Sequence, residues 1–183
     1  MFQALLERIA AAFDQAIIPY MVIGGQALLL YGEPRFTQDI DITLGLDVDG
    51  LESVLATMES LGLFPLVEDV DAFVHKTWVL PVKDLATGIR VDFVFSISPY
   101  ERQAIARSLP ITVGQTTVHY ASLEDLILHK LVAGRPRDLE DLRVLLRKNP
   151  GVDQAYLHHW FPQFSQTLDY DLEQRFLQLQ EEA

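Results

Sequence analysis

The chain of 183 residues is 49% hydrophobic, enough for one well-packed domain with a helical appendage and tight for two. Its 14 Lys and Arg against 26 Asp and Glu, a formal net charge of -12, argue against broad nonspecific nucleic-acid binding, which needs phosphates neutralised, and leave only a local basic path to a nucleic-acid end. The absence of cysteine excludes disulfides and thiolate metal sites, and with neither a secretion-signal start nor an apolar run of membrane-spanning length the expectation is a soluble cytoplasmic protein.

Phe2, Leu5, Leu6, Ile9 and Phe13 recur at helical spacing, predicting an amphipathic helix over 2–16 with a structural role. Residues 18–23 are a short apolar run rich in β-formers, predicting a strand that runs into Gly24 and Gly25. A turn without side chains lets a ligand approach the backbone closely. The helix predicted over 26–31 opens with unpartnered N–H groups at the positive end of its dipole, which suits phosphate. Gly32 and Pro34 break that helix, and over 37–44 polar and apolar residues alternate. A strand's period of two then puts Asp39 and Asp41 on one face, with Ile40 and Ile42 toward the core. Paired carboxylates resist joint ionisation unless a cation neutralises them. Mg²⁺ is a hard ion that takes one or two protein carboxylates and completes its shell with water and substrate phosphates. A glycine turn beside Asp-x-Asp therefore reads as a nucleotide site.

Gly24-Gly25 followed by Arg35-x-Thr37-x-Asp39-x-Asp41 resembles the nucleotidyltransferases of the DNA polymerase β type, and among them the AbiE-type toxins. The order strand, glycine turn, helix, acid-bearing strand matches as well. Many members of that superfamily carry Gly-Ser where this chain has Gly24-Gly25, so backbone N–H groups must hold phosphate without a serine hydroxyl. The plain structural alternative is a helix-packing glycine pair followed by a strand with a solvated acidic face.

Further along, 47–50 reads as a loop leading into a helix with Leu51, Val54, Leu55, Met58 and Leu61 on its apolar face. The pattern over 64–70 fits a short strand or a loop. Phe73, Val74, Trp78, Val79 and Leu80 predict a strand, 83–88 a turn and 89–95 a second strand, together a hairpin with His75 and Lys76 exposed. Arg90, Asp92 and Val94 share one face of the second strand, which makes Asp92 a lone acid in an apolar run. A carboxylate there needs a partner. An ion pair with Arg90 would supply one; in the resembled family, an acid in this hydrophobic-Arg-hydrophobic-Asp pattern is the third catalytic carboxylate.

A helix over 99–109 and strands at 111–113 and 117–120, turning at Gly114, close this part. Ser122 offers an N-cap, with Asp125 three residues on and Leu123, Leu126, Ile127 and Leu131 as an apolar stripe. From Lys130 to Lys148 the charge inverts, with Arg135, Arg137, Arg143 and Arg147 between, broken by Gly134 and Pro136 into two helices. Such a stretch attracts phosphate. Ion pairing on the helix surface is the reading for Arg143, Arg147 and Lys148. Asp125, Lys130, Ala133, Arg135 and Arg137-Asp138 followed by Asp141-Leu142 resemble the family's later motifs, in which a lysine and downstream acids help shape the nucleotide pocket. His158 and His159 are adjacent, a poor metal pair on a helix, and 169–183 reads as a final packing helix.

The resemblance implies an α/β (α+β) fold, a mixed sheet flanked by helices, with a nucleotidyltransferase core over 1–121 and a helical part over 122–183 packed on it. It implies transfer of a nucleoside monophosphate from a nucleoside triphosphate to an acceptor hydroxyl. Asp39, Asp41 and Asp92 are then the metal-binding and catalytic acids, with Mg²⁺ as cofactor, and Gly24, Gly25, Arg35, Thr37 and Lys130 serve the nucleotide. A tRNA end, a protein hydroxyl and an aminoglycoside-like small molecule all suit the chemistry as acceptors, and an antitoxin protein is a partner. The alternative of another class is a noncatalytic module that binds nucleotide or a partner.

Overall fold

The computed structural model describes residues 1–32, 37–96 and 98–183. They fall into two units, Met1–Ala27 with Phe36–Ala121, and Leu28–Arg35 with Ser122–Ala183. In the first, helix α1 (Phe2–Ala16) buries Leu5, Leu6, Ile9, Ala10 and Phe13, the stripe its spacing predicts. Phe13 packs its ring edge-on against Phe93 at 5.6 Å and tilted against Tyr20 at 5.2 Å, which fixes α1 over one face of the sheet.

That sheet is built from β1 (Tyr20–Ile23), β2 (Asp39–Leu44), β3 (Leu63–Pro65), β4 (Val79–Asp84), β5 (Arg90–Phe95), β6 (Leu109–Val113) and β7 (Thr116–Tyr120), with α2 (Gly24–Leu28), α3 (Leu51–Ser60), α4 (Val70–Thr77) and α5 (Pro99–Ala106) between strands. The order across it is β3-β4-β5-β2-β1-β7-β6. Strand β2 runs parallel to β5, and β1 parallel to β7; the other neighbours are antiparallel. Ile40, Ile42, Leu80, Val82, Val91 and Phe93 are fully buried on the α1 side. Each such side chain contributes about 1.5–3 kcal/mol over its exposed state. The expected mixed α/β architecture is therefore the one observed.

Residues 70–77 correct the expected strand, which begins only at Val79. Asp69 caps a helix there, accepting from the Ala72 N–H at 3.1 Å, and His75 and Lys76 occupy its last turn, where cations complement the dipole. Phe73 and Val74 are adjacent apolar residues that mimic a strand, yet only Val74 is buried. Trp78 leaves the helix in the left-handed region and hands the chain to β4. The expected helix over 26–31 starts two residues earlier, taking in Gly24 and Gly25, and is α-helical only as far as Leu28, with Leu29–Tyr31 a 3₁₀ turn.

The second unit contains α6 (Leu123–Ala133), α7 (Pro136–Lys148), α8 (Gln154–Ser165) and α9 (Leu172–Glu182). Ser122 caps α6 through the Asp125 N–H, as its spacing predicts. Asp125, wholly buried, accepts from the hydroxyls of Ser122 and Tyr156, each at 2.7 Å. Phe161 of α8 meets Phe176 of α9 at 5.4 Å. Arg143 pairs with Glu182 at 2.7 Å, Arg147 donates to the Ala183 carbonyl, and Lys148 donates to the Gly32 carbonyl. Among the described residues no helix is long and apolar enough to cross a membrane.

Candidate active site

The parallel pairing of β2 with β5 sets Asp39 opposite Arg90 and Asp41 opposite Asp92. Alternation along each strand puts all four on the sheet face opposite the α1 side, because Ile40, Ile42, Val91 and Phe93 fill the other. The acids are half-buried. Arg90 Nε donates to Asp92 Oδ1 at 2.8 Å. That hydrogen bond is the main influence holding the guanidinium proton more tightly than usual; burial opposes it, and the charges of Asp92, Asp39 and Asp41 add to it. One arginine thus senses all three carboxylates.

The glycine pair holds the acid strand in place. Gly24 sits at φ +66°, and a Cβ there would fall 2.1 Å from Asp41 Oδ2 and 3.1 Å from Asp41 Cβ. At Gly25 it would fall 2.0 Å from Thr37 Cγ2. Thr37 Oγ1 accepts from Gln26 Nε2 at 2.8 Å, so a buried amide fixes the residue two places before Asp39. The space left by two missing side chains is filled by Asp41 and Thr37.

The acid set has the chemistry of a hard-cation site, all carboxylate oxygen. Among the described residues, no three His, Asp or Glu side chains form a ready-made cage. Mg²⁺ does not require one, since it commonly takes one or two carboxylates and completes its shell with water and phosphate oxygens. Arg90 against Asp92 shows that the cluster accepts positive charge. The residues fit the ion.

Lys130 lies on α6 of the second unit. It is buried, and its ammonium donates to Asp141 Oδ2 at 2.6 Å and Asp138 Oδ1 at 3.3 Å, while Arg135 Nε reaches Asp138 Oδ2 at 2.6 Å. Arg35 lies outside the described residues. Two residues of the cluster escaped the sequence reading. Arg90 stood there only as an ion-pair partner, although its place two residues before Asp92 already puts both on one face. Gln26 carried the weaker signal of following the glycine pair.

A family model described as nucleotidyl transferase AbiEii toxin, type IV toxin–antitoxin system, matches residues 4–182. The chain belongs to this family. The AbiEii assignment agrees with the resemblance carried by Gly24-Gly25 and Asp39-x-Asp41. No match is found among curated proteins. Among solved structures, the chain is similar to ANT(2")-Ia in complex with adenylyl-2"-tobramycin, at 18% identity over 90% of this chain and 97% of that one, TM-score 0.60. It is also similar to an antigenic nucleotidyltransferase-like protein from Paracoccidioides brasiliensis, at 18% identity over 81% and 75%, TM-score 0.58. A third is the lincosamide antibiotic adenylyltransferase LnuA with lincomycin bound, at 16% identity over 78% and 94%, TM-score 0.53. At these identities the likeness concerns the fold, and it agrees with a nucleotidyltransferase architecture for this AbiEii member.

Proposed function

We propose that the chain transfers a nucleoside monophosphate from a nucleoside triphosphate to an acceptor hydroxyl in a Mg²⁺-dependent reaction, as the toxin of a toxin–antitoxin pair. The observation that carries this reading is the β2–β5 register, which sets Asp41 against Asp92 with Asp39 on the same face. Asp39 and Asp41 would hold the ion, which when bound supplies charge stabilisation to the phosphates. Gly24 and Gly25, assigned to the nucleotide phosphates through their backbone, leave room for Asp41 and Thr37 to lie against them, and Gln26 fixes Thr37 there. Asp92 would hold a second ion or take the proton of the acceptor hydroxyl, which otherwise passes to water; the hydroxyl oxygen bonds to the α-phosphorus, the bond from that phosphorus to the β-bridging oxygen breaks, and pyrophosphate leaves. Arg35 is assigned to phosphate charge. Lys130 is assigned to the nucleotide pocket in a narrower role, fixing Asp138 and Asp141 with the ammonium it shares between them.

The acceptor is a tRNA end, a protein hydroxyl or a small cationic molecule. An aminoglycoside suits the net charge of -12, and ANT(2")-Ia, of similar fold, carries an adenylylated one. A cognate antitoxin is the partner that the family description supports. Incubation with α- and γ-labelled nucleotides and a cell extract, followed by separation of RNA, protein and small molecules, tests the reading. Label reaches an acceptor only from the α position, and Asp92→Asn blocks that transfer while nucleotide binding survives. Transfer from the γ position would mean a kinase and would overturn the assignment.

The Arg90–Asp92 pair favours one other reading, a module that binds nucleotide without turning it over. Nucleotide binding without α-label transfer to any fraction would identify it.

A further inference from the structure

Arg90 lies between opposite charges. On one flank its register partner is Asp39, and on the other it is Lys83 of β4, an exposed cation. Repulsion from Lys83 and attraction by Asp39, Asp41 and Asp92 both turn the guanidinium toward the acids. The burial of the two partners differs: the Asp92 side chain is 17% exposed and that of Arg90 53%. The acid is fixed in the sheet, while the arginine reaches it from solvent and can leave without unpacking the core.

We propose that Arg90 is the built-in counter-cation of the carboxylate cluster, and that Asp92 releases it before serving the reaction. The inference rests on the metal-dependent reading above and adds a competitor to it. A monovalent guanidinium satisfies Asp92 when no divalent ion is near and keeps the three acids from repelling one another. Asp92 is exchanged only when the incoming cation, with the phosphate oxygens of a nucleotide, outweighs a charge-assisted hydrogen bond. Free divalent ion alone is therefore held weakly, and the site assembles fully only with nucleotide present. Arg90 is a positioning residue in this scheme, acting through Asp92.

Mn²⁺ alone is the probe, its free fraction read by electron paramagnetic resonance in the full-length protein. Arg90→Gln removes the competitor and tightens Mn²⁺ binding about tenfold, the low end for a charge-assisted hydrogen bond because the arginine is half exposed. Arg90→Lys keeps a mobile cation at the site and stays closer to the parent. If the parent binds Mn²⁺ but Arg90→Gln binds no tighter, the role given to Arg90 falls while the metal site stands. If neither the parent nor Arg90→Gln binds Mn²⁺, with or without nucleotide, both fall. A second measurement needs no variant beyond the one that assigns the signal: the Arg90 Nε–H resonance moves toward that of exposed arginines when Mg²⁺ and a nucleoside triphosphate are added together. A resonance indifferent to saturating Mg²⁺ and nucleotide together overturns the proposal.

Discussion

Gly24→Ala tests the fit between the glycine turn and the acid strand. Alanine pays about 1–2 kcal/mol for the left-handed backbone at φ +66°. Its Cβ also lands 2.1 Å from Asp41 Oδ2 and 2.9 Å from Cγ, so the carboxylate must rotate away. A side chain pushed about 30° off its rotamer costs about 0.5–1.5 kcal/mol. Against this, the stiffer unfolded chain returns about 0.4–1 kcal/mol. The balance is about 2 kcal/mol, or about 4–8 °C in Tm for a chain of this size. Gly62→Ala is the control: its φ is +70° and nothing lies within 4 Å of the added methyl, so it carries the backbone strain alone. Thermal unfolding by circular dichroism and Mn²⁺ binding are measured on both variants. Gly24→Ala is expected to lose more stability than Gly62→Ala and, unlike it, to lose metal affinity, because Asp41 has moved. Equal Tm losses with metal binding intact in both would show that Gly24 does not seat Asp41.

The second glycine allows a rescue: Gly25→Ala collides with the Thr37 methyl, and adding Thr37→Ser removes that methyl while keeping the hydroxyl bonded to Gln26, so the double variant regains most of the lost Tm. Lys130→Met leaves Asp138 and Asp141 buried without their ammonium, a loss of about 3–5 kcal/mol by urea unfolding, largely recovered when both acids are changed to Asn. Burial works to raise the Asp138 pKa, but the Arg135 hydrogen bond and the charges of Lys130 and Arg135 prevail and hold it below the usual carboxylate range. Its stabilisation is thus complete above the unfolded pKa of about 3.9 and is lost as pH falls through the lower folded value, so Asp138→Asn flattens the acid limb of a stability–pH curve. Asp84 repeats the pattern: burial is outweighed by Thr87 hydrogen bonding and the Arg8 charge, so Arg8→Gln should raise the pH at which acid unfolding begins.

The sequence was most informative where period and chemistry coincide. Alternation along 39–44 places Ile40 and Ile42 inside and the two aspartates together, because a strand buried on one side admits no other register. The capping serine at 122 and the stripe of α1 were legible for the same reason. Pairing across the sheet was not. Nothing local to β5 states that it lies parallel to β2 with Asp92 at the level of Asp41, since that depends on where the intervening hairpin docks. The α4 segment misled because Phe73 and Val74 carry β-propensity while Asp69, an N-cap, decides the outcome. Lys130 reads as one cation in a basic run; only the turn at Gly134 folds α7 back so that Asp138 and Asp141 reach it.

The parallel β2–β5 contact also governs when the site comes into being. Parallel neighbours cannot be joined by a tight turn, and here α3, β3, α4 and β4 all lie between them in the chain. Asp39 and Asp41 leave the ribosome long before Asp92, and closing so long a loop is an entropic cost that local helices such as α1 do not bear. A growing or half-folded chain therefore displays two acids and no third. Asp92 comes level with Asp41 only once the two central strands have found each other.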